Sequence, residues 1–352
     1  MREKKNRKRS LFMKLNLLGN IFIMKGNYNM SKLKEIKNKV LSGELIGRDE
    51  ALLLVNEPLE NLCSAANEIR KHYCGNIFDI CTIINGKSGQ CSENCKFCAQ
   101  SSFYNANIEK YSLLDSEEIF KQAKYNDEKG VLRYSIVTSG KKLNDDELNN
   151  VCKSIKKIRK DINISVCGSF GLLNKEQYRK LKEVGLTRVH NNLETSRNNF
   201  KNVCTTHTYD EKINAIEDAK SVGLNVCSGG IMGLGETMED RIDMVIDIRN
   251  LGIRSIPVNM LNPIKGTPYE DYEILTNNEM CRIVAIFRFL VPNASIRLAG
   301  GRGLLPDKGR KCFLSGANAA ISGDMLTTSG ISIETDMKMI EELGYKVELW
   351  NE

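Results

Sequence analysis

Residues 175–191 read KEQYRKLKEVGLTRVHN, and this stretch contains the unit from which most of the chain is built. An amphipathic helical segment at 175–184 is followed by Gly185, a residue type that ends helices, and then by a β-rich run at 187–191. The same alternation recurs about eight times from residue 78 onward. Strands that alternate with helices predict an α/β protein with a parallel sheet, and eight repeats favour a closed, TIM-type (β/α)8 barrel over an open sheet.

Eight short runs are the predicted strands, at residues 78–84, 132–138, 162–167, 187–191, 224–228, 255–260, 295–298 and 319–322. Helical segments include 116–129, 175–184, 209–222 and 238–251, and Gly130, Gly185, Gly223 and Gly252 follow them as C′ glycines. Residues 31–77 are predicted to form a helical extension on the N-terminal side of the barrel. No Pro-rich or Ser-rich linker divides the remainder, so we expect one domain over residues 78–352.

The positive charge of the chain lies in its first 30 residues. The net charge is +7, and residues 1–30 carry eight Lys or Arg against the single acid Glu3, so the remainder is neutral. This balance gives no indication of a nucleic-acid partner. The apolar run at 11–24 is too short and too polar to span a membrane, and no small-residue cleavage site follows it. We expect a disordered tail or an over-long start at residues 1–30, no membrane partner, and a cytoplasmic protein, because 12 cysteines without a signal peptide indicate a reducing compartment.

Three cysteines lie within eight residues in Cys91-Ser-Glu-Asn-Cys95-Lys-Phe-Cys98. Three thiolates can hold three corners of a four-iron cluster and leave one iron open for chemistry. A zinc site usually needs further cysteines or histidines at ligand spacing, which the triplet lacks, and a disulfide framework needs an oxidising compartment. The spacing therefore favours an open iron–sulfur site, with zinc and inert or disulfide-bonded cysteines as the alternatives.

Further polar residues lie on, or just after, separate predicted strands. Those that could converge inside a barrel are Cys81, Ser135, Cys167, Cys227 and Arg297, whereas Cys63, Cys74, Cys152 and Cys281 lie on helices and are typical of small buried hydrophobes. For the strand cysteines, a ligand role and a packing role are both open.

Two polar stretches follow the fourth and fifth predicted strands. The glycines of the run from Gly229 to Glu236 would let backbone approach a flat ligand, although an ordinary tight turn has the same composition. The segment from His190 to Thr195 contains amides that suit a cyclic urea and a carboxylate that suits ribose hydroxyls, although an Asn-rich turn cap is the simpler interpretation.

The spacing C-x3-C-x-aromatic-C and its extension CSENCKFCAQSS at residues 91–102 resemble the radical S-adenosylmethionine (SAM) enzymes, and within them the biotin synthase family, from about residue 51 to the end. The resemblance implies that Cys91, Cys95 and Cys98 bind a [4Fe–4S] cluster whose open iron chelates SAM. One electron from that cluster would cleave the sulfonium bond to give a 5′-deoxyadenosyl radical. The radical would take hydrogen from dethiobiotin, and sulfide from a second iron–sulfur cluster would complete biotin over two rounds.

The resemblance also implies individual roles. Phe97 would pack beside the nucleotide, and Gly229, Ile231, Gly233 and Glu236 match the adenine-side motif G-x-I-x-G-x-x-E. Asn192 would bridge cofactor and substrate, Glu194 would take the ribose, and Asn259 would hold the ureido ring. His190 would also lie at the substrate. At the positions of His190 and Glu194, familiar members have Asn and Asp, so the two side chains here extend to a different distance.

The second cluster, a [2Fe–2S] cluster or a variant of it, is held in the family by three strand cysteines and an arginine. Cys167, Cys227 and Arg297 match three of these positions, but Ser135 stands at the fourth. Our hypothesis is that Cys81 replaces the missing thiolate, with Cys204 and Cys312 as further candidates. A flavodoxin or ferredoxin electron donor and a homodimer are also implied.

Three other functions are alternatives to biotin synthesis. A hydrogenase-maturation or other related radical enzyme would share the triplet and barrel, but Cys167, Cys227 and Arg297 argue against it. Lipoyl synthase would need a separate N-terminal cysteine motif that the chain lacks. An iron–sulfur carrier protein would need fully ligated clusters and no SAM pocket.

Overall fold

A computed structural model gives the fold of residues 32–350, so the predicted tail at residues 1–30 lies outside the described residues. Three helices come first: α1 at residues 32–41, α2 at Arg48–Leu54 and α3 at Leu59–Cys74. The elements that follow are β1 (Ile77–Lys87), α4 (Ser116–Glu128), β2 (Arg133–Thr138), α5 (Asp145–Asp161), β3 (Ser165–Ser169), α6 (Lys175–Glu183), β4 (Arg188–His190), α7 (Arg197–Val203), α8 (Tyr209–Ser221), β5 (Asn225–Cys227), β6 (Gly230–Met232), α9 (Met238–Asn250), β7 (Ser255–Met260), α10 (Asn277–Leu290), β8 (Ser295–Leu298), α11 (Arg310–Phe313), β9 (Ala319–Ser322), α12 (Ile333–Glu342) and β10 (Lys346–Val347).

Parallel pairing closes the sheet into a barrel. The strands follow one another in the order β1-β2-β3-β4-β5-β7-β8-β9, and β9 pairs back onto β1 with Asp79 opposite Ala319. The short strand β6 continues β5 along the edge of β7, and β10 extends the start of β1. The predicted (β/α)8 barrel with a helical extension is therefore confirmed.

Most predicted strand limits agree with the structure, and those of β7, β8 and β9 are the same. The third strand begins at Ser165 rather than at residue 162, because α5 continues to Asp161 and Ile162 serves as its C-cap. Strand β6 was not predicted, since its sequence belongs to a glycine-rich run that is typical of a turn.

Side-chain caps fix where the barrel helices begin. The N-cap residues whose side chains accept hydrogen bonds from the first turn are Asp115, Asn144, Asn174, Ser196, Thr208, Thr237, Thr276 and Ser332. These caps satisfy N–H groups that have no partner within the helix. The predicted C′ glycines at 130, 185, 223 and 252 all have positive φ, as helix ends of this type require.

The N-terminal helices cover the outer face of α9 and α10. Helix α3 packs against α10, whose side chains from Ile283 to Leu290 are all buried. Arg282 of α10 donates hydrogen bonds to the Val55 and Glu57 carbonyls at the end of α2. The extension is therefore part of the packed structure rather than a loose appendage. Among residues 32–350, no helix is long and apolar enough to cross a bilayer.

Two neighbouring leucines of α2 test this packing. Leu54 is fully buried in the main core, whereas Leu53 is 52% exposed. Leu54→Ala should lower the free energy of unfolding by about 2–5 kcal/mol, because it removes buried methyl groups and leaves a cavity. Leu53→Ala is the matched control and should change it by less than about 0.5 kcal/mol. Equal losses in urea unfolding would contradict the docking of α2.

Candidate active site

The cysteine triplet lies in the loop that follows β1, at the end of the barrel where parallel strands present their carboxyl termini. Backbone hydrogen bonds fold this loop back on itself: Cys91 N donates to Gln100 O (3.0 Å), and Ser102 N donates to Cys91 O (2.8 Å). Burial raises the pKa of Cys98 to about 11, although the neighbouring Gln100 and Ser101 N–H groups favour its thiolate form. Donors aimed at a buried sulfur suit a thiolate that binds iron, so the loop fits the cluster that the spacing predicts.

A second segment holds the middle of the triplet loop. Asn94 Oδ1 accepts hydrogen bonds from Thr205 N (2.9 Å) and Thr206 N (3.2 Å), just after α7. The sulfurs of Cys95 and Cys204 and a ring nitrogen of His207 all lie within 4.8 Å of one another. The loop is thus braced by residues about 110 positions away in the sequence.

Phe97 and Ile231 line the same cavity at the mouth of the barrel. Both pack against one small apolar cluster that contains Leu234 and Tyr269. The neighbouring glycine turn leaves no room for side chains: a Cβ on Gly229 would lie 1.9 Å from the Pro257 carbonyl oxygen. An apolar ligand in this cavity would contact both Phe97 and Ile231.

Glu236 organises the end of that turn. Its carboxylate accepts hydrogen bonds from Gly233 N (2.8 Å) and Leu234 N (2.5 Å), and an ion pair from Arg241 (2.6 Å). Gly233 has φ of 102°, a conformation that L side chains rarely adopt. The buried Glu236 therefore fixes the backbone shape of the turn.

Glu194 and Asn192 follow β4 and face the same space. Glu194 has φ of 70°, which is strained for a residue other than glycine, and hydrogen bonds to Gly229 O and from Ile231 N hold it there. Burial raises the pKa of Glu194, and its Oε2 has no hydrogen-bond partner within the described residues. A buried carboxylate oxygen of this kind is suited to a polar ligand.

Asn259 is anchored by both of its amide atoms. Nδ2 donates to Gly230 O (3.1 Å), and Oδ1 accepts from Gly300 N (2.9 Å), so the remaining donor and lone pair are held in a fixed direction. His190 is hydrogen-bonded to Cys167, which lies below it in the barrel.

Two adjacent cavities occupy this end of the barrel. One of about 310 Å³ is lined by Phe97, Ser135, Ile231 and Asn259, and another of about 170 Å³ lies beside Cys91 and Cys95. His190, Asn192 and Glu194 line both. A larger cavity of about 460 Å³, around Arg302 and Thr335, includes none of the predicted site residues.

Three strand cysteines converge deeper in the barrel. Cys81 on β1, Cys167 on β3 and Cys227 on β5 are buried and close enough to interact electrostatically. Arg297 on β8 donates to Cys81 Sγ (3.4 Å), and Cys227 Sγ lies 3.2 Å from Ser255 Oγ. Burial raises the pKa of Cys81 to about 12. The structure therefore brings together the predicted arginine, the two matched cysteines and Cys81.

Ser135 lies on β2 directly opposite Cys167, at the position where the resemblance expects a cysteine. It is fully buried, and its Oγ has no hydrogen-bond partner among the described residues. A buried hydroxyl without a partner is costly unless something else fills the space. The pocket thus has the chemistry of a site for a further polar or anionic group.

The expectation that Cys204 or Cys312 could serve this pocket is wrong. Cys204 lies at the end of α7 beside Cys95, and Cys312 lies on α11 with its sulfur 3.7 Å from that of Cys281. Cys312 therefore points into the helical layer, not into the barrel.

A charged group below the pocket was missed by the sequence reasoning. Asp79 forms ion pairs with Arg133 (2.9 Å) and Arg297 (3.0 Å), and the positive charge of Arg188 also acts on its carboxylate. Burial by itself would raise the pKa of Asp79, but the three guanidinium charges hold it below its usual value. The signal was available, because charged residues interrupt otherwise apolar strand sequences. His207, Glu93 and Lys212 were missed because they come from loops and a helix.

A closed parallel barrel with an open three-cysteine loop after its first strand, and a glycine turn facing that loop, is the arrangement of a radical SAM enzyme. Residues 87–248 match the Radical SAM superfamily, and residues 257–346 match the Biotin and Thiamin Synthesis associated domain.

Curated relatives identify the family. The chain is 62% identical over 317 residues to a biotin synthase of Brachyspira hyodysenteriae, covering 90% of this chain and 95% of the relative. It is 57% identical over 320 residues to a biotin synthase of Akkermansia muciniphila, covering 91% of this chain and all of the relative. The chain belongs to the biotin synthase family.

Solved structures support the fold. Methylornithine synthase (PylB) aligns with a TM-score of 0.78 at 21% identity, over 90% of this chain and 98% of that one. The [FeFe]-hydrogenase maturase HydG aligns with a TM-score of 0.77 at 21% identity, over 91% of this chain and 78% of that one. At this identity the likeness concerns the barrel alone.

Asp79 allows a test of the buried charges. Asp79→Asn should lower the free energy of unfolding at pH 7 by about 3–5 kcal/mol, because it leaves guanidinium groups buried without their counter-ion. The folded pKa of Asp79 is depressed, so its stabilisation is present above the unfolded value of about 3.9 and is lost as the pH falls below it. The difference between wild type and variant should therefore shrink below about pH 4.

The exposed pair of Arg310 and Glu342 provides the control. Glu342→Gln should leave urea unfolding unchanged, since exposed pairs add little. A loss for Asp79→Asn no larger than for Glu342→Gln would contradict the account.

Proposed function

We propose that this chain is a biotin synthase that inserts sulfur into dethiobiotin in a reaction that consumes SAM and external electrons. The observation that carries the proposal is the placement of two cysteine sets at one barrel end, the triplet loop above and the strand cysteines below. The cavity of about 310 Å³ is lined by Phe97 and Ile231, which are assigned to SAM, and by Ser135, which is assigned to the second cluster. Membership of the biotin synthase family supports the same activity.

Cys91, Cys95 and Cys98 are the proposed ligands of the [4Fe–4S] cluster. Together with SAM, the bound cluster supplies a 5′-deoxyadenosyl radical, and the auxiliary cluster supplies the sulfur atom. Phe97 and Ile231 would hold the adenine between them, while Gly229 and Gly233 let the backbone reach its edge. Glu236 acts through the turn that it holds, as a positioning residue.

The ribose and substrate roles follow from the buried polar atoms. Glu194 Oε2, which has no protein partner in the described chain, would accept from a ribose hydroxyl. Asn192 lines both cavities, which supports its proposed place between cofactor and substrate. Asn259 has one fixed donor and one fixed acceptor left for the ureido ring, and His190 would approach the substrate from β4.

The second cluster is proposed to use Cys81, Cys167, Cys227 and Arg297. Arg297 already contacts Cys81 Sγ, which supports Cys81 as the thiolate that Ser135 cannot provide. Ser135, on the adjacent strand, would face the cluster with its hydroxyl. The proposed group is a [2Fe–2S] cluster or a variant of it.

Electrons are proposed to come from a flavodoxin or ferredoxin, because the sequence contains no flavin motif and no further ferredoxin-type cysteine motif. We also propose a homodimer, on the family resemblance alone, and a cytoplasmic location, in keeping with the 12 cysteines of the chain.

Product analysis tests the function. After anaerobic reconstitution with iron and sulfide, reduction with SAM and dethiobiotin should yield biotin and 5′-deoxyadenosine by mass spectrometry. Cys98→Ala should abolish both products, because the cluster loses a ligand. Cys152→Ala, on the outer helix α5, should retain both. Deoxyadenosine without biotin would contradict the substrate, and neither product from a fully loaded protein would favour an iron–sulfur carrier.

Cys81→Ala tests the auxiliary ligand. The variant should lose iron and visible absorption from the second cluster, and with them biotin formation, while it still cleaves SAM. Cys312→Ala, a buried cysteine outside the barrel interior, should keep the wild-type iron content. Unchanged iron and absorption in Cys81→Ala would contradict this ligand assignment.

A further inference from the structure

Cys204 is buried beside the triplet loop and has no role in the proposed reaction. It is 3% exposed and lies at the end of α7, where its sulfur lies within 4.8 Å of the Cys95 sulfur. Its other near neighbours are His207 Nδ1 at 3.3 Å, Asn94 Oδ1 at 3.4 Å and Thr206 Oγ1 at 3.5 Å. A cysteine that only filled space would not need four polar neighbours.

The group around Cys204 is fixed from several sides. Glu93 Oε2 lies 2.6 Å from His207 Nδ1 and accepts from Thr206 Oγ1 at 2.8 Å. The His207 ring also packs edge-on against Phe200, with 5.6 Å between ring centroids. Glu93 is part of the triplet loop, so the loop and the segment 204–207 hold each other. The Cys204 sulfur is therefore kept close to Cys95 by contacts that do not depend on Cys95.

The direction of the bond between the two cysteines follows from simple chemistry. An iron-bound cysteine sulfur carries no proton and can only accept. If Cys95 binds the [4Fe–4S] cluster, as the proposed function requires, Cys204 must then be the donor of any hydrogen bond between them.

We propose that Cys204 is a positioning residue that donates an S–H hydrogen bond to the Cys95 sulfur and thereby raises the reduction potential of the SAM-binding cluster. Hydrogen bonds to cluster sulfurs stabilise the added negative charge of the reduced state. His207 and Glu93 keep the donor in place. The contact would make the cluster easier to reduce by an external donor, which is the step that each SAM cleavage requires.

The test is the midpoint potential of that cluster in the reconstituted holoenzyme without dethiobiotin. The cluster is recognised as the EPR signal that changes on addition of SAM. Cys204→Val has no donor, so its midpoint potential should be about 59 mV lower than that of the wild type. For one electron this corresponds to a roughly tenfold lower ratio of reduced to oxidised cluster at a given potential. Cys204→Ser, which keeps a donor, should stay closer to wild type.

Cys152→Val is the matched control, since Cys152 is half-buried on α5. It should leave the potential unchanged. A Cys204→Val enzyme with wild-type iron content and wild-type potential would overturn the proposal. If that variant does not take up iron, the exchangeable hydrogen of the Cys204 S–H group can be measured instead, through its magnetic coupling to the reduced cluster. This coupling should differ between the wild type and Cys204→Ser. An unchanged coupling would overturn the proposal.

The outcome is separable from that of the proposed function. A shifted potential in an enzyme that makes no biotin would support the Cys204 contact and contradict the substrate. A protein with no SAM-responsive cluster would overturn both.

Discussion

The pairing of β1 with β9 closes the sheet, and the functional contacts of the molecule depend on this closure. Strand β1 provides Asp79 and Cys81 inside the barrel and leads directly into the triplet loop. Arg297 comes from β8, on the far side of β9, and reaches both Asp79 and Cys81. In an open sheet these groups would face water. Closure buries them in an interior where charges and thiols interact strongly with one another.

Charge balance then explains the composition of the interior. Three guanidinium groups surround the carboxylate of Asp79, so this part of the barrel carries an excess of positive charge. Such an excess favours anionic groups beside it, and the three strand cysteines would supply them as thiolates on binding iron, although burial alone keeps Cys81 protonated. The guanidinium groups around Asp79 and the strand cysteines above them are therefore complementary in charge. The loop cysteines at the mouth remain separate, since Glu93 and Asn94 tie them to the segment after α7.

The fold was predictable because each unit carries its own local signals. The amphipathic segments, C′ glycines and short β-branched runs of the sequence coincide with the observed helices, helix ends and strands. Three strands were predicted with their observed limits. The cysteine triplet and the glycine turn could also be recognised in the sequence, because the residues of each motif lie close together in the chain. The contact of Cys204 with Cys95 was not predictable, because α7 and its cap residues determine where residue 204 lies. The same holds for Cys312, whose place on α11 depends on packing against α10.

The central claim is that the buried pocket of Cys81, Cys167, Cys227 and Arg297 holds the sulfur that enters the product. The most direct test reconstitutes the enzyme with isotopically labelled sulfide, removes the excess, and measures the mass of biotin formed in a first turnover. The account predicts biotin that carries the label, and none from a Cys167→Ala enzyme that still cleaves SAM. Unlabelled biotin from the labelled enzyme would contradict it.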